Sequence, residues 1–509
     1  MTFVPSAINT NRKRIIIASR KSDLARLQAY AVGEALQKHF SELEVEYRFR
    51  ESLGDINLQD PLWKMPEKGV FTEDFYKDLC EHKVDLVVHS WKDLPVEEKS
   101  FTVIAGTLHR ADPRDVLLFK KTSRNKSQLQ FFSSSPRRIY NLESFFSWSL
   151  PWSVAAIKFT SVRGNIQTRV KKLMQSTEID GLVVAKAALD RLLSATREEF
   201  QETKSFLRGV LTELDFQVLP LSENPTAAAQ GALAIEVARD RTDILDLVKK
   251  INQDEVYHNV SIERLELKKH GGGCHQKIGV TVINKKPFSL FFLRGLTEQG
   301  VILNQRKIFT PMAENVFTEE KKFNDYEVHK NLIKILKPLS FELPYVSSGS
   351  SVGLLVTKAE AFGNDSDSKV DLKALLSEYM IWTSGLRTWK KLSQLGIWVS
   401  GSFESLGEEE SPELETLAPK IQWFKLTHSQ GKKSSWAKKI ETYEISYEEP
   451  ENRKLNLQAE SYYWSHGELF KKYFEKYPEL KNKVHVCGVG STYKTLCQYV
   501  DPIKIQVRI

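Results

Sequence analysis

At 509 residues the chain is too long for one ordinary core, and about three to five domains of roughly 100–200 residues each are expected. With 41% hydrophobic and 10% aromatic residues it has the apolar material for several cores, which excludes a disordered chain. Lys+Arg at 73 against Asp+Glu at 65 makes a mixed surface of net charge +8, which suits an acidic ligand but carries no dense basic tail that would point to nucleic acid. The first predicted strand is Arg14 to Ser19 (RIIIAS), followed by an amphipathic helix from Asp23 to His39 with apolar residues at helical spacing. Similar strand-to-helix units follow. They are Val84 to His89 before a polar turn, Asp115 to Phe119, Ala155 to Phe159 before a helix over Asn165 to Met174, and Gly181 to Val184 before Lys186 to Leu193. This alternation predicts open α/β sheets with helices on their faces, whose ligands sit beyond the carboxyl ends of the strands. From Ile278 a third piece mixes strands (IGVTVI, SLFFLRGL) with a helix expected near Glu327 to Leu336. Pro338, Pro344 and the run Ser347 to Ser351 read as a linker, after which α/β alternation restarts at Gly353 to Thr357, Tyr379 to Thr383, Ile421 to Leu426, Glu460 to Trp464 and Val484 to Val489.

Four scattered cysteines, Cys80, Cys274, Cys487 and Cys497, make neither a disulfide framework nor a CxxC zinc site and fit a reducing compartment. No apolar run approaches the ~18 residues that span a bilayer, and the opening MTFVPSAINTNRKR lacks a signal peptide's apolar stretch. The expectation is a cytoplasmic protein without membrane contact.

Arg20, Lys64, Lys68, Lys92, Arg137, Arg138, Arg163 and Arg169 all fall at strand ends or helix starts. One such residue is an ordinary surface charge. A cleft lined by several suits a substrate with many carboxylates or phosphates, because guanidinium forks pair bidentately with such groups. Neither GxxxxGK[ST] nor a post-strand GxGxxG supports a nucleotide. The turn His89-Ser90-Trp91-Lys92-Asp93-Leu94-Pro95 sets an acid beside a base after an apolar strand. Asp93 reads either as a turn and cap residue or, in a basic cleft, as a carboxylate that carries a proton to a leaving amine and stabilises a cation. His270-Gly271-Gly272-Gly273-Cys274-His275 places a thiol on a sharply bending turn, where it is accessible, and offers too few well-spaced ligands for a metal.

From Arg14 to Leu336 these residues resemble the hydroxymethylbilane synthase (porphobilinogen deaminase) family. IASRKSDLARLQA, SLGDINLQDPLWKMPEKGVF, VDLVVHSWKDLPVE, HRADPRDVLLF, SSSPRR, SVRGNIQTRVKKL, AAAQGALAIE and HGGGCHQKIGV occur in the family's order. The resemblance implies two periplasmic-binding-protein-like α/β domains, the first over 1–110 and 216–255 and the second over 111–215, then an α+β cofactor-attachment domain over 256–340, which the linker read from composition follows over 341–352. Cys274 would carry a covalent dipyrromethane built from substrate, priming a transferase that polymerises four porphobilinogen molecules into a linear tetrapyrrole. Asp93 would assist loss of ammonia, stabilise the azafulvene cation and help deprotonate the new ring junction, with Lys92 beside it. Arg20, Ser22, Ser135, Arg137, Arg138, Arg163, Arg169 and Arg191 would bind acetate and propionate groups, with Lys64 and Lys68 on the family's mobile active-site loop. Two departures stand out. Pro136 sits between the serine and the arginines, and Ala229 replaces the glycine of the usual GQGAL.

Residues 353–509 resemble uroporphyrinogen-III synthase, a lyase, with Ser384, Ser465, Ser491 and Thr492 as candidate carboxylate-binding residues after strands. The resulting expectation is a monomeric, bifunctional haem-pathway enzyme. Alternatives are a monofunctional synthase with an inactive C-terminal interaction domain, and a noncatalytic anion-binding protein that needs neither Cys274 nor Asp93.

Overall fold

The computed structural model describes residues 14–51, 73–273, 276–309, 333–347, 351–362, 372–448, 455, 457–459, 461–464 and 467–508. Strand β1 (Arg14–Arg20) leads into helix α1 (Asp23–His39), β2 (Glu44–Arg50), α2 (Glu73–Cys80), β3 (Leu86–Ser90) and β4 (Thr102–Gly106). Next come β5 (Asp115–Lys120), β6 (Gln128–Phe132), α3 (Pro136–Ser149), β7 (Ala156–Thr160) and α4 (Ile166–Gln175). Then follow β8 (Gly181–Ala185), α5 (Lys186–Leu193), α6 (Gln201–Glu213), β9 (Leu214–Val218), β10 (Leu233–Ala238), α7 (Thr242–Ile251) and α8 (Asp254–Lys269).

These strands form two five-stranded sheets, β2-β1-β3-β10-β4 and β7-β6-β8-β5-β9. Both follow one plan: three parallel strands, then one strand antiparallel to both of its neighbours. In the first sheet the reversed strand is made last, as β10, and in the second it is made first, as β5. The chain therefore passes between the sheets twice, over 107–114 and over 219–232. The unbroken apolar run of β1 follows from burial on both faces. Ile15 and Ile17 pack with Val32 and Leu36 of α1 and with Leu247 and Ile251 of α7, whereas Ala18 packs with Phe75 and Leu79 of α2. Each buried valine, leucine or isoleucine contributes about 1.5–3 kcal/mol. Asn165, predicted as a helical residue, is the cap of α4, and its side chain accepts the Thr168 N–H at 2.9 Å.

The chain continues into the three-stranded sheet of β11 (Lys277–Lys285), β12 (Phe288–Leu296) and β13 (Ile302–Phe309). The helix expected near Glu327 to Leu336 is corrected where it can be seen. Ile333–Pro338 is strand β14, paired antiparallel from Ile333↔Glu448 to Pro338↔Tyr443. A partner strand overrides the local helical pattern, and the edge position tolerates the missing N–H of Pro338. Residues 327–332 lie outside the described residues.

The rest of the chain forms β15 (Ser351–Val356), α9 (Leu372–Leu376), β16 (Met380–Thr383), α10 (Leu386–Gln394), β17 (Gly401–Ser402), β18 (Ile421–His428) and β19 (Lys438–Glu448). After it come β20 (Ser461–Trp464), α11 (Gly467–Lys476), β21 (Val484–Gly488), α12 (Ser491–Leu496) and β22 (Ile505–Arg508). The sheets run β14-β19-β18-β15-β16-β17 and β20-β21-β22. Ser351 and Val352, assigned to the linker by composition, already pair with Ile421 and Gln422.

By internal contacts the chain divides into two compact units. The first comprises Met1–Ser144, Val154–Ile283 and Phe292–Gln305; the second comprises Phe145–Ser153, Asn284–Phe291 and Arg306–Ile509. The second unit is centred on aromatics. Trp389 is fully buried, edge-on to Phe145 at 5.3 Å, and its indole N–H donates to the Ser149 carbonyl at 3.2 Å. No described helix is long and apolar enough to cross a membrane.

Candidate functional site

Strand β3 ends at Ser90, and Trp91–Asp93 form a single tight helical turn. Its shape is held from three sides. The Trp91 ring packs on Tyr257 at 5.1 Å, its backbone N–H donates to Ala232 at 3.1 Å, and Arg264 donates to the carbonyls of Trp91, Leu94 and Pro95. Asp93 is left exposed and Lys92 half-buried. The Lys92 ammonium donates to Gln230 Oε1 at 3.3 Å. Burial pulls its pKa below the usual lysine range; Asp93 offsets part of that, and Arg138 adds to it.

Arg137 and Arg138 open helix α3 and are buried, at 3% and 7% exposure. Pro136 does not distort them. It is the first helical residue, where a missing N–H costs nothing and the fixed φ suits the helix. Ser135 precedes it, and its carbonyl accepts the Ile139 N–H at 3.1 Å. Arg137 donates to Asp115 Oδ2 at 2.9 Å, Asn224 Oδ1 at 3.0 Å and the Pro225 carbonyl at 2.8 Å. Arg138 donates to both Asp115 oxygens, at 3.1 and 2.7 Å, and to the Val183 carbonyl at 3.0 Å.

Arg163 and Arg169 flank the start of α4. The Arg163 Nη1 is buried without a partner, while Arg169 Nε donates to the Gly164 carbonyl at 2.7 Å. Burial, helped by Arg138, brings the Arg169 pKa down to about 10, and Asp93 opposes the shift. Arg191, in the last turn of α5, donates to Gly231 at 2.7 Å, and burial also lowers its pKa to about 10. Arg20 ends β1 and is half-buried; Ser22 precedes α1 and makes no side-chain capping bond. Lys92, Arg137, Arg138, Arg163 and Arg169 thus interact around two carboxylates, Asp93 and Asp115, and one buried guanidinium nitrogen among them is unsatisfied, a condition that anionic groups would relieve. Lys64, Lys68 and Cys274 lie outside the described residues.

The turn leading to Cys274 is described up to Gly273. Gly271, Gly272 and Gly273 have φ of 97°, 67° and 103°, a left-handed run that glycine alone adopts cheaply. A methyl on Gly272 would lie 2.6 Å from Val96 Cγ2. The glycines that precede Cys274 in sequence are thus seated against Val96, three residues past Asp93.

A family model described as porphobilinogen deaminase, dipyromethane cofactor binding domain, matches residues 15–246. The porphobilinogen deaminase of Nostoc sp. is 32% identical over 286 residues, covering 55% of this chain and 80% of that protein. The porphobilinogen deaminase of Lawsonia intracellularis is 31% identical over 329 residues, covering 64% of this chain and 94% of that protein. The chain belongs to the porphobilinogen deaminase family. Among solved structures, the periplasmic aliphatic sulphonate binding protein SsuA from Escherichia coli is similar over 51% of this chain and 71% of its own at 12% identity, with a TM-score of 0.25. At that score the α/β description rests on the two sheets of this porphobilinogen deaminase family member themselves.

The departure at Ala229 matters for this family member. Its φ is +67°, in the region where a side chain is strained, and its N–H donates to buried Glu263 at 2.7 Å. Sequence reasoning passed over Asp115, Asn224, Gln230 and Arg264. The signal for Asp115 was an acid opening a fully apolar strand inside HRADPRDVLLF, where only a paired carboxylate survives burial.

Among the C-terminal candidates, Ser384 Oγ donates to the Thr357 carbonyl at 2.8 Å, and its own carbonyl accepts the Ser405 N–H at 2.7 Å. Ser491 and Thr492 open α12 after Gly490, whose φ is +105°. Ser465 lies outside the described residues. No group of three or more His, Cys, Asp or Glu able to hold a metal occurs among the described residues.

Proposed function

We propose that the chain is a hydroxymethylbilane synthase, joining four porphobilinogen molecules with release of ammonia on a dipyrromethane attached to Cys274. The observation that carries this reading is the glycine turn seated against Val96, three residues from an exposed Asp93 that interacts electrostatically with Lys92 and Arg169. When bound, a dipyrromethane supplies the nucleophilic pyrrole carbon for the first condensation. Asp93 delivers a proton to the departing amine, then as a carboxylate stabilises the cation left on the substrate and takes up the proton released at the new junction. Lys92, Arg20, Ser22, Ser135, Arg137, Arg138, Arg163, Arg169, Arg191, Lys64 and Lys68 hold the acetate and propionate groups. Intact mass of the purified protein should show a covalent dipyrrole that Cys274→Ser lacks. Asp93→Asn should retain the dipyrrole and lose most turnover. An unmodified, fully active wild type would reject the assignment, and a wild type with neither dipyrrole nor ammonia release would leave passive anion binding.

We further infer that residues 353–509 cyclise the product as a uroporphyrinogen-III synthase. In support, the turn after β16 touches Ser405, and two residues on Gly407 approaches Gly490, on which a methyl would lie 3.4 Å from Gly407 Cα. Two hydroxyl-bearing strand-end turns, around Ser384 and around Ser491 and Thr492, are thereby linked. Porphobilinogen converted to the type III isomer supports the cyclase; type I alone means an interaction domain without activity. A reducing, cytoplasmic setting accords with Cys80, Cys487 and Cys497 being free thiols.

A further inference from the structure

Asp115 is the first residue of β5, at the end of one passage between the two sheets, and it is fully buried. Its Oδ2 accepts from Arg137 Nη2 (2.9 Å), Arg138 Nε (3.1 Å) and Asn224 Nδ2 (2.9 Å). Its Oδ1 accepts from Arg138 Nη2 and Gln230 Nε2, both at 2.7 Å. Asn224 and Gln230 belong to the other passage, 219–232, so a single carboxylate ties the two passages to the two arginines. Burial alone would push its pKa up, but the two guanidiniums outweigh it and hold the group far below the usual carboxylate range.

Each arginine commits three of its five N–H groups to these fixed protein acceptors. What remains of each fork faces in a direction set by Asp115. The network also reaches the reacting end of the site. Gln230 donates through Nε2 to Asp115 and to the Pro113 carbonyl (2.6 Å), which turns its Oε1 toward the Lys92 ammonium. One carboxylate against two guanidiniums leaves the cluster positive while locking its geometry, which is what a polycarboxylate chain needs from its receptor.

We infer that Asp115 is the positioning residue that aims Arg137, Arg138 and, through Gln230, Lys92 at the carboxylates of the growing pyrrole chain. This rests on the synthase reading, and the experiment separates the two. Full-length wild type is first assayed for its covalent dipyrrole and its turnover of porphobilinogen; if both are missing, the synthase reading and this role fall together. In Asp115→Asn the oxygen and amide keep the shape of the side chain but the fork to Arg138 is broken. The expected result is a lower fraction of protein carrying dipyrrole and a KM for porphobilinogen raised about tenfold in the carrying fraction, with kcat changed less. Asp115→Glu should restore part of the loss, since it keeps the charge. The direction of KM is decisive. Were Asp115 only a counter-charge, its removal would leave a more positive pocket and KM would fall; were it only structural, melting temperature would drop while KM and occupancy stayed at wild-type values. Either outcome overturns the proposal. If Asp115→Asn does not fold, Asn224→Ala decides, because it removes one anchor of Arg137 and one donor to Asp115 with every charge in place. It should raise KM about threefold, and an unchanged KM with full occupancy overturns the role.

Discussion

The first unit buries paired charges, and the second buries tryptophans. Around the passages between the first two sheets, Asp115, Arg137, Arg138, Gln230 and Asn224 are all nearly or fully inaccessible and bonded to one another, while buried Glu263 is satisfied by Arg110 and two backbone N–H groups. Among the described residues of the second unit the largest buried side chains are Trp382, Trp389, Trp464 and Tyr443, and the hydroxyls of Ser384 after β16 and of Thr388 in α10 are both spent on the Thr357 carbonyl. Buried charge is expensive unless geometry fixes it, so a region that keeps it either specifies an arrangement or serves a ligand. Burying aromatic surface specifies a fold without announcing any chemistry.

The contrast can be broken most forcefully at Glu263. Its carboxylate pairs bidentately with Arg110 at 2.6 and 3.0 Å and accepts the backbone N–H groups of Ala229 and Val282. Glu263→Gln should cost about 3–5 kcal/mol in urea unfolding, because Arg110 is left as an unmatched buried charge. Adding Arg110→Met should recover part of it. Trp389→Ala should cost about 3–4 kcal/mol, through cavity and lost contact in the second unit, and no change of charge nearby should recover it. If the two variants respond alike to charge repair, the distinction between the units is false.

A pH titration sharpens the same point. Burial would raise the Glu236 pKa, but bonds from His89, Lys99 and Thr102 outweigh it and lower the value to about 2. The stabilisation from a depressed carboxylate is fully present above the unfolded value of about 4.5 and is lost as pH falls toward about 2. It amounts to about 3 kcal/mol, and Glu236→Gln should flatten the acid limb of stability over that window. The smallest effect is at Ala229. Relieving its positive φ with Ala229→Gly should add about 1 kcal/mol, seen as a higher melting temperature with the bond to Glu263 intact.

Much of the first unit is legible from periodicity. Helices Asp23–His39 and Lys186–Leu193 match the predicted spans, because apolar spacing and burial agree there. The places of Arg20 at the end of β1 and of Arg137 and Arg138 at the start of α3 were also readable, whereas Lys64 and Lys68 lie outside the described residues. Strand β14 was not, because a six-residue mixture of apolar and basic residues chooses between helix and strand only when a partner such as β19 is present.

The linear order of residues thus determined the alternating units, the excess of cations at strand ends and the glycines that let a thiol-bearing turn bend, all of which depend on neighbours a few positions apart. Only the folded chain decided that Pro136 begins a helix without disturbing Arg137, that Ala229 carries strain, and that Asp115 gathers groups more than a hundred residues apart into one buried hub. Hydrogen-bond partners and dielectric environment are properties of three-dimensional proximity, and no local pattern encodes them.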